Sequence, residues 1–130
     1  MGRFLWVALV ALAGPAAGQD ASAGADIYLH ACAACHGMDA KGEGEMAAIL
    51  TIAPPDLTGL AARNGGVFPV AGAAARIDGR DPLLAHGGAM PVFGDWLEGD
   101  DVVIRTEAGQ PLMVGRALAD LLAFLAAVQE

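Results

Sequence analysis

The sequence predicts a small all-α domain of three to five helices, and it allows a minor β-hairpin before the last one. Three observations point there. An apolar stripe of helical period closes the chain, with a second helical pattern near its start. The middle is rich in Gly and Pro. Both cysteines of the chain fall in one short run with a histidine, Cys32-Ala33-Ala34-Cys35-His36. A length of 130 residues holds one domain, and no internal repeat or low-complexity linker divides it.

The first segment is not counted as fold. Arg3 supplies one positive charge, Phe4 to Ala13 is an unbroken apolar run, and Gly14-Pro15-Ala16-Ala17-Gly18 supplies small residues before polarity begins at Gln19. Charged start, apolar middle and small-residue end together read as a secretory signal peptide over residues 1–18, with cleavage after Gly18. The run is shorter than the roughly 18–20 apolar residues that span a bilayer. No cysteine sits at the boundary to carry a lipid, so no stable membrane anchor is expected once the signal is removed.

The first helix of the mature chain begins near Ser22, with Ser22 or Asp20 as its N-cap. Gly24, Tyr28, Cys32 and Cys35 follow at spacings of four, four and three, which puts them on one face. From Gly37 to Pro91 the pattern is loops with short helices near Glu45–Leu50 and Val70–Ile77. Val102–Thr106 and Pro111–Val114 read as two short strands joined through Glu107-Ala108-Gly109-Gln110. Arg116 to Gln129 is a helix whose apolar stripe is Leu118, Leu121, Leu122, Leu125 and Val128.

Composition narrows the function. Much of the 55% hydrophobic content is alanine and only 5% is aromatic, so an apolar cofactor would strengthen so light a core. Without its signal the chain keeps six basic and 15 acidic residues, a net charge of −9. That disfavours nucleic acid and anionic membranes and favours a protein partner with a basic or apolar docking face.

The Cys-x-x-Cys-His run is the pattern for covalent c-type haem attachment. Two thiols three positions apart on a helical turn reach two vinyl groups along one porphyrin edge, and the next residue, His36, projects toward the iron. A redox disulfide of the thioredoxin kind would need a βαβ context, and none is visible. A zinc site would need a second cysteine pair, and only His30 and His86 remain.

With this motif, the Gly37–Gly44 loop after it, Gly88-Ala89-Met90-Pro91 far downstream and the last helix, residues 19–130 resemble the class I cytochromes c. The resemblance implies the small cytochrome c fold around one covalently bound haem c per chain. It implies Cys32 and Cys35 as haem thioethers, His36 as proximal axial iron ligand and Met90 as the distal one. It also implies a close crossing of the first and last helices at Gly24, against Leu121 and Phe124. Met38 lies too near His36 to pass round a porphyrin, at a reach of about 7 Å. Met113 sits in an apolar Leu112-Met113-Val114 run suited to a core strand, and His86 is the alternative to Met90. Arg63, Arg76, Arg80 and Trp96 are candidates for the haem propionates.

The expected function follows: an exported, periplasmic one-electron carrier between redox proteins, with no catalytic residues of its own. The rival reading is a cytochrome subunit of a periplasmic dehydrogenase or terminal reductase. A gas sensor or peroxidase would need an open sixth position, which Met90 argues against.

Overall fold

A computed structural model of the chain describes residues 18–80 and 89–130. The signal-peptide reading, apart from Gly18, and His86 lie outside the described residues. Five α-helices and one hairpin order the described residues. The helices are α1 (Ala21–Ala31), α2 (Ala33–His36), α3 (Leu60–Arg63), α4 (Val70–Asp78) and α5 (Arg116–Ala127), and the strands β1 (Asp101–Arg105) and β2 (Pro111–Gly115) precede α5. The all-α class with a minor hairpin before the last helix is therefore the observed architecture.

Helix α1 starts where a side chain satisfies its free amides. Asp20 is the N-cap, and its Oδ1 accepts from the backbone N–H groups of Ser22 at 2.9 Å and Ala23 at 3.2 Å. Ser22, the other candidate, lies inside the helix. The helical run is broken once, at Cys32, before α2 resumes. Glu45–Leu50 does not form an α-helix: only a 3₁₀ turn, Ala47–Ile49, is present, with no side-chain cap at Met46 to extend it.

The core lies where α5 crosses α1. Leu118, Leu121, Leu122 and Leu125 are buried along α5, as the period required, and Tyr28 of α1 has no exposed surface. Gly24 makes the crossing close. A Cβ there would overlap the carbonyl oxygen of Asp120 and come within 2.9 Å of Phe124 Cβ, so only hydrogen fits. Leu121, the other partner the resemblance named, is buried in the same core.

The hairpin pairs Val102 with Val114, Val103 with Met113 and Ile104 with Leu112. Alternation puts Ile104 and Val114 inward and Val103 and Met113 outward. Met113 is thus 61% exposed, which corrects its reading as a core residue: the run is a strand, but Met113 holds the solvent-side register position. Beyond α5, Gln129 fastens the chain end. Its Nε2 donates to the Leu57 carbonyl at 2.8 Å, and its Oε1 accepts from Ala61 N–H at 2.8 Å. This ties α5 to the loop that forms one wall of the site.

Candidate haem site

The Cys-x-x-Cys-His run forms α2 and its N-cap. His36 N–H donates to the Cys32 carbonyl at 2.9 Å, which sets the turn that carries both thiols and the imidazole. The next residues fold back over it. Gly42 N–H donates to the His36 carbonyl at 2.7 Å, Gly44 N–H to that of Cys35 at 3.1 Å and Met46 N–H to that of Ala34 at 2.8 Å, so the orphan carbonyls of the short helix are satisfied. Gly37, at φ 83°, makes the reversal that begins this loop. Its own carbonyl accepts from the buried hydroxyl of Tyr28 at 2.7 Å.

These elements enclose a cavity of about 380 Å³. One wall is Tyr28, Cys32, Cys35 and His36. Leu50, Pro54, Pro55, Leu57 and Leu60 form the second, and Gly72, Ala73, Arg76 and Ile77 of α4 the third. Ala89, Met90, Pro91 and Phe93 close it, with Leu121 and Leu125 of α5 as the floor. A mostly apolar cleft of this size with a few convergent polar groups is the usual form of a cofactor site.

The electrostatics match the chemistry of the donor set. His36 is buried, and burial lowers its pKa below the ordinary histidine range, partly offset by its bond to Pro55. Its Nδ1 stands 3.3 Å from the Pro55 carbonyl oxygen. A carbonyl can only accept, so Nδ1 carries the proton and Nε2 keeps a free lone pair, the form a metal binds. Burial, with Cys35 beside it, pushes the Cys32 thiol up to about 11. A redox cysteine of the thioredoxin kind has a depressed pKa instead, and the two cysteines are not joined in a disulfide. The described residues contain no group of three or more His, Cys, Asp or Glu side chains that could hold a bare metal ion.

Met90 is half-buried and lines the same cavity as Cys32, Cys35 and His36. The other methionines among the described residues do not line it: Met38 is 77% exposed, Met46 42% and Met113 61%. His30 stays outside, its Nδ1 bonded to the Asp26 carbonyl at 2.7 Å. Of the candidate propionate partners, only Arg76 borders the cavity; Arg63, Arg80 and Trp96 do not.

Sequence reasoning missed three positions. Pro55 orients His36 through a backbone oxygen, for which a sequence carries no side-chain signal. Asp120 is buried on α5, and its Oδ1 accepts from Asp20 N–H at 2.7 Å, linking the two helices at the α1 N-terminus. Gln129 is the third; a polar residue at a helix end gives no hint of a partner more than 60 positions away.

The chain thus wraps an apolar cleft and sets two thiols and an imidazole on its wall. The family model for cytochrome c matches residues 21–102, and the chain belongs to that family. No characterised protein and no solved structure gave a match. Membership makes this an electron-transfer protein and not an enzyme. The matched span ends inside the hairpin, so α5 is tied to the fold by its packing against α1.

Proposed function

We propose that the chain is an exported carrier of single electrons, with one haem c bound through thioethers to Cys32 and Cys35 and ligated by His36 and Met90. One observation carries this: the two thiols, the imidazole and the thioether sulfur border a single apolar cavity. When bound, the haem supplies an iron that alternates between ferric and ferrous states.

The residues around it determine how that alternation is used. Pro55 holds His36 in the tautomer that leaves Nε2 unprotonated. Met90, on the same cavity wall, would supply a second protein ligand to the iron and leave no position for a substrate. Thioether ligation and the apolar walls both favour ferrous iron and raise the potential. Leu50, Leu57, Leu121 and Leu125 exclude water, which limits the reorganisation that accompanies each transfer.

Removal of residues 1–18 would deliver the carrier to the periplasm. None of the described helices is long and apolar enough to cross a membrane. Glu43, Glu45, Asp95, Glu98, Asp100 and Asp101 are all exposed. Glu43 and Glu45 lie in the Gly37–Met46 loop and the other four in the segment after Met90, and so favour a redox partner with a basic face.

Visible spectroscopy tests the ligand set. The ferric protein should show the weak long-wavelength band of thioether-ligated haem, and the ferrous protein should not react with carbon monoxide. A ferrous spectrum that shifts on carbon monoxide would show an open position and refute the carrier assignment. Size-exclusion chromatography of native material should show a free monomer-sized species; co-elution with a larger protein would make it a subunit.

A further inference from the structure

Strand β1, Asp101-Val102-Val103-Ile104-Arg105, carries opposite charges at its two ends about a central valine. Two backbone bonds frame its ladder with β2. Arg116 N–H donates to the Asp100 carbonyl and Thr106 N–H to the Gln110 carbonyl, both at 2.9 Å. Bonded and non-bonded pairs alternate along an antiparallel ladder, so the pairs that exchange bonds between these two are Val102–Val114 and Ile104–Leu112. Asp101, Val103 and Arg105 therefore turn their N–H and C=O groups away from β2. Their side chains share the exposed face, where Val103 stands across from the equally exposed Met113.

The two edges of the hairpin differ. The β2 edge is closed: Pro111 has no N–H to offer, the Arg80 guanidinium donates to the Met113 carbonyl at 3.1 Å, and Gly115 is pressed against the Leu97 carbonyl. The outward groups of β1 make no hydrogen bond with another segment among the described residues. The hairpin is also held in place. Glu107, in its turn, accepts from Ala71 N–H at 3.0 Å, which ties it to the start of α4. Arg105 Nη1 donates to the Gly109 carbonyl at 3.1 Å, which leaves Nε and Nη2 to meet a carboxylate.

An open strand edge is a template for another strand, and the charges of β1 select which one. Laid antiparallel on the β1 of a second copy, with Val103 on the two-fold axis, the three outward residues of each strand meet. Val103 faces Val103, and Asp101 of each copy faces Arg105 of the other. A register shifted by two residues loses both ion pairs, and one shifted by four sets like charges opposite each other. We propose that β1 is a self-association edge, through which two copies join as a two-fold dimer with one continuous four-stranded sheet. The inference rests on the hairpin alone and is independent of the haem-carrier reading. The pairing is weak. A five-residue strand spans only about 17 Å, short of what the roughly 1,200–2,000 Å² of a stable interface requires, and a net charge of −9 on each mature chain opposes it. Column dilution separates the copies, so the monomer-sized peak expected above is unaffected.

Sedimentation equilibrium of the mature protein up to ~1 mM reads the association directly. The average mass should climb from one chain toward two and no further, because the β2 edges that end the sheet are closed. Asp101→Arg should weaken association about tenfold, since two attractive cross-strand pairs become repulsive. Its smaller net negative charge would by itself act the other way. Arg105→Asp should weaken association as well. An equal mixture of these two variants, or the double variant Asp101→Arg with Arg105→Asp, should recover wild-type association, because opposite charges face each other again. Val103→Pro removes an outward N–H and no ladder bond, and should leave monomers only. A wild type that stays monomeric over the whole range overturns the proposal, and so does a dimer that Asp101→Arg leaves unchanged. If a variant does not accumulate, the wild type and the remaining charge variants decide on the same terms.

Discussion

Gly24→Ala should destabilise the folded protein by about 3 kcal/mol, although alanine is the better helix former. The added Cβ would come within 2.5 Å of Asp120 C and 2.9 Å of Phe124 Cβ and would overlap the Asp120 carbonyl oxygen. Carbon atoms in contact lie about 3.5–4.0 Å apart, so α1 and α5 must separate by about 1 Å. A gap of that size forfeits about a quarter to a half of the attraction across it. Burial of Tyr28, Leu121 and Phe124 contributes about 2 kcal/mol each, which makes the packing loss about 2 kcal/mol. Distortion of the Asp20–Asp120 hydrogen bond adds about 1 kcal/mol. Residual strain of about 1 kcal/mol or more from overpacking is offset by alanine's helix preference of about 1 kcal/mol. Urea denaturation of the loaded protein, followed by circular dichroism, reads this directly. The melting temperature should fall by about 12 °C. Gly99→Ala is the control, because a Cβ there meets no heavy atom within 4 Å, and it should change stability by less than about 0.5 kcal/mol. A loss below about 1 kcal/mol in Gly24→Ala would refute the close crossing.

Three further outcomes are expected. Tyr28→Phe leaves the Gly37 carbonyl without its buried donor and should cost about 1–3 kcal/mol in urea denaturation. Burial pushes the Tyr28 hydroxyl up to about 12 from its usual 10, so ionisation favours the unfolded chain. Its contribution is intact below pH 10 and is lost as the pH rises to 12, up to about 2.7 kcal/mol. Denaturation midpoints between pH 9 and 12 should show this loss in the wild type and less of it in Tyr28→Phe. Met90→Ala should lose the long-wavelength ferric band, lower the potential and admit carbon monoxide, while a substitution of Met46 or Met113 should do none of these. Stopped-flow electron transfer with a native partner should slow as salt rises, since screening weakens steering by exposed acidic residues; rates that do not change would assign docking to an apolar patch.

How legible each feature was in the sequence depended on the range of the interaction behind it. The α5 stripe was readable because one period of 3.6 residues governs Leu118 through Leu125. The hairpin was readable within one residue at each end because the Glu107–Gln110 turn separates two short apolar runs. Met113 was misjudged because alternation in a two-stranded sheet leaves every second residue in water, and an apolar run alone does not say which. The Glu45–Leu50 segment carries helix-forming residues, but the loop that returns over α2 takes its backbone bonds, and only one 3₁₀ turn remains. At the site, the motif gave both thiols and the imidazole, and the methionine came from the resemblance. The carbonyl of Pro55 beside His36 and the buried Asp120 depend on pairings between distant segments, which no local pattern records.

The central claim is that Cys32 and Cys35 hold haem covalently, and the intact mass of the mature chain tests it most directly. The protein should be made in a periplasm with haem-attachment machinery and extracted with acidified acetone. It should stay coloured, begin at Gln19 and carry the mass of one haem, whereas Cys32→Ala with Cys35→Ala should carry none. A wild-type mass equal to that of the bare polypeptide would contradict the account.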